Sequence, residues 1–191
     1  TLMDQAEKTS SFPLMFYSLG IYKVTRDYGR AMKFADMLAT ALKGFPGFGG
    51  QLRGELLYLS GREAEAMEVF LENIELVEST TEEHNEFTVG FLVSANGYLG
   101  NRDEVRRLTN MLFSGFPIED NTFDRPGIYV EAAKGLALVG DHGAALELLE
   151  TLVDQPGAPS KWALHLDPSW DFMRDNERFA ALTTPDGIVR E

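Results

Sequence analysis

The sequence predicts an all-α fold in which helix-turn-helix repeats stack into a solenoid that ends in a C-terminal capping helix. Apolar residues recur at helical spacing through most of the 191 residues, and no segment sustains the alternation typical of a strand. Turn-forming segments such as Gly44–Gly47 and Gly115–Pro117 divide the chain into pieces of roughly 30 to 40 residues. Each piece is long enough for two helices and a tight turn.

An internal repeat emerges when Gly61, Gly100 and Gly140 are placed in register, at spacings of 39 and 40 residues. Arg26 occupies the same column in a fourth copy, 35 residues before Gly61. A glycine turns the chain between two helices without a side-chain clash. The residue five positions later is small, which favours close helix packing, and these residues are Ala31, Ala66, Val105 and Ala145.

These repeats define the expected domain organisation. We expect four helical hairpins within residues 1–157, at about 10–44, 47–79, 83–116 and 124–157, and a cap segment at 158–191. One hairpin cannot bury its own apolar side, so neighbouring hairpins must stack and the last one needs a cap.

Composition excludes several classes of function. The chain has 17 Lys and Arg against 30 Asp and Glu, a net charge of -13, so we expect no nucleic-acid partner because a phosphate backbone would be repelled. Cysteine is absent, which removes thiolate metal sites and cysteine nucleophiles. No run approaches the roughly 18 apolar residues that span a bilayer, so we expect no membrane partner.

The acidic charge is concentrated in residues 55–86, which hold one basic and ten acidic residues. Within this block, glutamates and apolar residues recur at helical spacing on opposite sides. The two sets are Glu65, Glu68, Glu72 and Glu75 on one side, and Ala66, Phe70, Ile74 and Val77 on the other. The pattern predicts an amphipathic helix with a solvated acidic face.

The repeat from Gly47 to Glu78 has Gly54 and Gly61 seven residues apart, followed by Ala66 and Phe70. In these positions the chain resembles the tetratricopeptide repeat (TPR) family, whose unit is a helical hairpin of roughly 34 residues. The resemblance implies a right-handed α-solenoid that binds a protein or peptide along a groove lined by the first helix of each pair.

A second resemblance lies in residues 166–182, which begin Leu166-Asp167-Pro168 and end in Arg178-Phe179 and Leu182. This segment is similar to the one that closes TPR arrays in many bacterial multidomain signalling proteins. It implies a cytoplasmic regulatory module from the C-terminal part of a larger protein, with an effector domain upstream of Thr1. The residues expected to cover the last hairpin are Trp162, Leu166, Trp170, Phe172, Phe179 and Leu182.

The sequence predicts no catalytic or metal-binding site. His84, His142 and His165 have no metal-ligand spacing, and no serine stands in a nucleophile motif. The glycine-rich segment 44–50 has neither the lysine nor the preceding strand of a phosphate loop, and it is expected to be a loop between repeats. We therefore expect a non-enzymatic protein without cofactors, in which Asp141 simply caps a helix.

Function is then expected from the groove surface. The TPR resemblance implies a partner groove lined by Phe16, Lys23, Gln51, Glu55, Tyr58, Phe87, Ser94, Tyr98 and Lys134. Lys23 and Lys134 are expected to hold one acidic group of the partner. Two alternatives stay open: a small-ligand sensor with a deep pocket near Tyr58, Phe87 and Tyr98, and a module that forms a homodimer through the repeats.

Overall fold

The computed structural model describes residues 11–80, 84–122, 124–153 and 155–184. Within these ranges the backbone forms helices and turns but no strand, which confirms the all-α class. The described residues form ten α-helices: α1 (Phe12–Val24), α2 (Tyr28–Ala41), α3 (Phe48–Leu59), α4 (Glu63–Thr80), α5 (Glu86–Tyr98), α6 (Arg102–Gly115), α7 (Arg125–Leu138), α8 (His142–Leu152), α9 (Lys161–Leu166) and α10 (Glu177–Thr183). Short 3-10 helices cover Ile118–Asp120 and Pro168–Met173.

Four equivalent turns each join two consecutive helices. A residue with positive φ follows the first helix in every case, and these residues are Arg26 (60°), Gly61 (79°), Gly100 (74°) and Gly140 (80°). The next N–H donates to the carbonyl five residues earlier at 2.9 Å, from Asp27 to Tyr22, Arg62 to Leu57, Asn101 to Asn96 and Asp141 to Leu136. This is the Schellman motif. The four turn residues are those that the repeat alignment placed in one column, so its register is confirmed at the turns.

The chain divides into two compact units, Thr1–Glu83 and His84–Glu191. In the first unit α1 pairs with α2, α3 pairs with α4, and α2 packs against α3. A Cβ atom on Gly54 of α3 would lie 2.5 Å from the Phe70 ring of α4, so the missing side chain permits this close contact. One buried cluster of this unit consists of Met15, Leu19, Ala31, Phe34, Ala35, Leu38 and Leu56, and Leu57, Ala66, Phe70 and Val77 are also buried.

In the second unit α5 pairs with α6 and α7 pairs with α8. The first helices of these two hairpins, α5 and α7, also pack together. Their backbones approach closely, because a Cβ on Gly97 would lie 2.7 Å from the Cα of Gly135. Arg106 of α6 joins the two hairpins through an ion pair, with its Nη2 2.8 Å from Asp141 Oδ2. Asp141 is the residue before α8, as predicted, but its side chain makes no capping hydrogen bond and accepts from Arg106 instead.

The cap segment is anchored by aromatic and arginine contacts. Trp170 and Phe179 are buried, and their ring centroids lie 5.4 Å apart in a stacked arrangement. Arg174 Nη2 donates to the Asp167 carbonyl at 2.9 Å. Of the other residues expected to cover the last hairpin, three remain about half exposed: Trp162, Leu166 and Phe172.

The right-handed solenoid and the domain boundaries stay predictions from the sequence. The predicted boundaries at residues 10 and 83 lie outside the described residues, as do positions 185–191 of the cap segment. In the part of the chain that the structure describes, no helix is long and apolar enough to cross a membrane.

Candidate protein-binding surface

Helix α1 carries the most exposed apolar surface of the first unit. It begins after Ser11, with Pro13 in its first turn, where a missing N–H costs nothing because it has no partner inside the helix. It ends at the Schellman turn of Arg26. On one side Met15, Ser18 and Leu19 are buried, and they fix the orientation of the helix on the core.

The opposite side of α1 faces solvent. Two neighbouring residues are exposed every four positions along the helix. We call this surface the α1 stripe, and it consists of Phe12, Pro13, Phe16, Tyr17, Gly20, Ile21, Val24 and Thr25. The exposed fractions of its large side chains are 43% for Phe12, 47% for Phe16, 71% for Tyr17, 49% for Ile21 and 38% for Val24.

The stripe contains no charged residue and forms a connected aromatic surface. The ring centroids of Phe12 and Phe16 lie 5.8 Å apart, and that of Phe16 lies 6.5 Å from Phe48 at the start of α3. The rings of Phe12, Phe16 and Tyr17 together leave on the order of 300 Å² of apolar surface in water. This area is comparable to the largest apolar patch on a typical monomeric protein, and such patches are often functional.

The predicted groove residues divide between the two units and differ in exposure. Phe16 and Phe87 are exposed, and Tyr58 is half-buried. The other six are not open to solvent to the same extent: Lys23 is half-buried, and Gln51, Glu55, Ser94, Tyr98 and Lys134 are buried. Of the nine predicted groove residues, Phe16, Tyr58 and Phe87 are therefore the ones whose contact with a partner can still be proposed in this conformation.

Both lysines expected to hold an acidic group already have carboxylate partners within the chain. Lys23 Nζ lies 2.7 Å from Glu55 Oε1, which links α1 to α3. Lys134 Nζ lies 2.9 Å from Glu131 Oε1. A buried charge needs such a partner, so these contacts give both lysines a structural role.

A cleft of about 500 Å³ lies in the first unit, between α2, α3 and α4. Helix α3 begins at Phe48, so Gly49 and Gly50, which were expected in a loop, belong to its first turn. The cleft is lined by Asp36, Ala39, Gly49, Gly50, Arg53, Val69, Glu72, Asn73 and Leu76. Tyr58, Phe87 and Tyr98 do not line it, so it does not correspond to the pocket expected for a ligand sensor.

Several local ion pairs lie on the surface outside α1. Glutamates 65, 68, 72 and 75 all lie on the exposed face of α4, as the sequence predicted. The hydrogen bond from Arg62 lowers the pKa of the Glu65 carboxyl, and that from Arg107 lowers the pKa of Glu104. These paired carboxylates stay charged at neutral pH and form a solvated surface.

Within the described ranges, no cluster of three or more histidine, aspartate or glutamate residues is arranged to hold a metal ion. No family model, curated protein or solved structure matches this chain.

Sequence reasoning identified only Phe16 of the large apolar residues in the α1 stripe. A signal for the rest is present in the sequence Phe12–Val24, which has apolar residues on all sides and Lys23 as its single charged residue. A helix that is apolar all round is normally buried all round. The exposed side of α1 is therefore an apolar surface that no described part of the chain covers.

Proposed function

We propose that this chain is a non-catalytic, TPR-like helical-repeat module that binds a protein, and that the α1 stripe is its docking surface. The observation that carries the proposal is the uncharged row of exposed apolar residues along one side of α1.

The composition of the stripe supports a protein partner. Aromatic residues are enriched where proteins bind one another, because each ring removes a large area from water at a small cost in conformational entropy. Tyr17 adds a hydroxyl group at the most exposed position of the stripe. A partner that presents a complementary apolar helix face fits these features.

The position of the stripe gives it a rigid base. Buried Met15 and Leu19 hold α1 on the core, and the Lys23–Glu55 ion pair ties its last turn to α3. A surface that is already ordered loses little further entropy when a partner docks.

The proposal is tested by removing apolar area from the stripe. Three forms of the chain are used as bait in a lysate: the wild type, a Phe16→Ser, Tyr17→Ser double variant, and a Leu71→Ser variant. Leu71 is 53% exposed on α4, so its variant removes a similar kind of surface elsewhere in the same unit. Circular dichroism first establishes that all three are equally helical.

A protein captured by the wild type and the Leu71 variant is then purified, and its affinity for each form is measured by titration calorimetry. We expect at least tenfold weaker binding to the double variant, since two partly buried aromatic anchors are lost. Equal affinity for all three forms would show that this protein does not dock on the α1 stripe.

A further inference from the structure

The exposed positions of the α1 stripe are symmetric about the middle of the helix. From Phe12 to the C-cap residue Thr25 they occur as the pairs 12/13, 16/17, 20/21 and 24/25, with Arg26 also exposed after the last pair. The midpoint of the four pairs lies between Ser18 and Leu19. If a second α1 helix lies antiparallel across the first with a two-fold axis at this midpoint, Tyr17 faces Gly20 and Phe16 faces Ile21. Side-chain rows with a four-residue repeat are the ones that interdigitate in the commonest class of helix packing.

The side chains in these facing positions complement each other in size. The N-terminal half of the stripe has the large residues Phe12, Phe16 and Tyr17, and the C-terminal half has Gly20, Ile21 and Val24. An antiparallel pair therefore places large side chains of one copy against small side chains of the other. A parallel pair would place Phe16 against Phe16 and leave a gap at Gly20.

Among the residues that the structure describes, none requires a glycine at position 20. A Cβ atom at this position would meet no atom within 4 Å, whereas one on Gly54, Gly97 or Gly135 would clash with a neighbouring helix. Glycine inside a helix costs about 1 kcal/mol relative to alanine. In the antiparallel pair Gly20 receives the ring of Tyr17 from the second copy, which gives a reason for its presence.

The area of the stripe sets the strength of this association. Its aromatic, Ile and Val side chains expose roughly 400 to 500 Å², so two copies would bury about 1,000 Å². This is the lower limit of specific interfaces, and it corresponds to a reversible dimer rather than an obligate one.

We propose that the partner of the α1 stripe is a second copy of this chain, bound antiparallel through a two-fold axis beside Tyr17 and Gly20. The inference rests on the proposed function, because it names the occupant of the same docking surface. In this arrangement the α1 stripe of each copy is covered by that of the other, and the module pairs two copies of the chain.

Self-association is measured by sedimentation equilibrium of the full chain from about 1 to 300 µM. We expect a monomer–dimer equilibrium for the wild type and at least a hundredfold weaker dimer for Gly20→Glu, since each new carboxylate would be buried against the Tyr17 ring of the other copy. Glutamate is a better helix former than glycine and has open space at this position, so the fold should persist.

A matched control is Gly143→Glu in α8. Gly143 is also helical and exposed, and a Cβ there also meets no atom within 4 Å. The control makes the same change in charge at an exposed helical position outside the α1 stripe, so its dimer should equal that of the wild type. A control that dissociates as readily as Gly20→Glu would assign the effect to net charge and overturn the proposal.

The register is tested by disulfide trapping, because the chain has no cysteine of its own. Phe16→Cys and Ile21→Cys chains are oxidised separately and as a mixture. The antiparallel pair brings residue 16 of one copy beside residue 21 of the other, whereas two residues 16 are offset by about 7.5 Å along the axis. Rapid cross-linking is therefore expected only in the mixture, and self-cross-linking of Phe16→Cys would contradict the antiparallel arrangement.

The outcomes separate this inference from the function on which it rests. A wild type that stays monomeric at 300 µM overturns the second copy as occupant. If the Phe16, Tyr17 double variant still loses a purified heterologous partner, the α1 stripe remains a docking surface with a different occupant. If it loses no partner, both proposals fail.

Discussion

At the scale of single residues, the clearest prediction concerns the four turns. Arg26 has the positive φ that glycine has in the three other turns. The left-handed region costs a residue with a Cβ about 1 kcal/mol or more. We expect Arg26→Gly to raise the free energy of unfolding by about 0.5 to 1 kcal/mol. The measurement is the midpoint of urea unfolding at an unchanged slope.

The reciprocal change serves as the control. A Cβ on Gly61 would meet no atom within 4 Å, so Gly61→Arg changes the backbone preference without creating a clash. It should lower the free energy of unfolding by about 1 to 2 kcal/mol. If both substitutions shift the free energy of unfolding in the same direction, the positive φ does not explain the residue type at this position of the repeat.

The same residues show which parts of the fold are readable from sequence. The spacing of Gly61, Gly100 and Gly140 revealed the turns, because a left-handed residue between helices has few chemical solutions. The partners of Lys23 and Lys134 were not readable. Their carboxylates lie 32 residues away in Glu55 and one helical turn away in Glu131, and the choice between an internal and an external partner depends on three-dimensional packing.

At the scale of helices, the contact between α8 and α10 predicts a dependence on pH. Arg178 donates two hydrogen bonds of 2.6 Å to Glu150, and these bonds lower the pKa of the Glu150 carboxyl. A lowered pKa in the folded state means stabilisation that is present above the usual glutamate range and lost as pH falls through the folded pKa. The difference in stability between wild type and Glu150→Gln should therefore be present at neutral pH and vanish in acid.

NMR titration of the side-chain carboxyl measures this effect directly. Glu150 should titrate at lower pH in the wild type than in Arg178→Gln, while the pKa of Glu104, which is lowered by Arg107, should be the same in both. If the titration midpoint of Glu150 were the same in the wild type and in Arg178→Gln, the ion pair would not be one of the contacts that hold α10 on α8.

Helices α1 and α7 explain why exposure could not be predicted as well as helicity. Both have a proline in the first turn, apolar residues on all sides and a glycine in the second half. Gly135 of α7 is covered by Val93 of α5, whereas Gly20 of α1 is open. The local pattern sets the helix, but only the neighbours decide which sides are buried, and so Phe16 is the only large apolar residue of the α1 stripe that the sequence identified as exposed.

At the scale of the whole molecule, net charge and the α1 stripe make opposite contributions to self-association. Each chain carries a net charge of -13, so two copies repel each other, while the stripe that joins them is uncharged. Salt screens the repulsion and leaves apolar contact intact, because the Debye length falls from about 10 Å at 0.1 M to about 3 Å at 1 M. We expect the dimer to tighten by roughly threefold or more between 50 and 500 mM sodium chloride.

The sign of this salt effect distinguishes the proposed occupant from a basic protein. A partner held by the acidic face of α4 would bind less tightly as salt rises, because its attraction would be screened. Sedimentation equilibrium at both salt concentrations gives the sign, and Gly143→Glu, which adds one negative charge to each chain, should tighten with salt at least as steeply as the wild type. Dissociation of the wild-type dimer at 500 mM would mean that charge, rather than the α1 stripe, holds the two copies together.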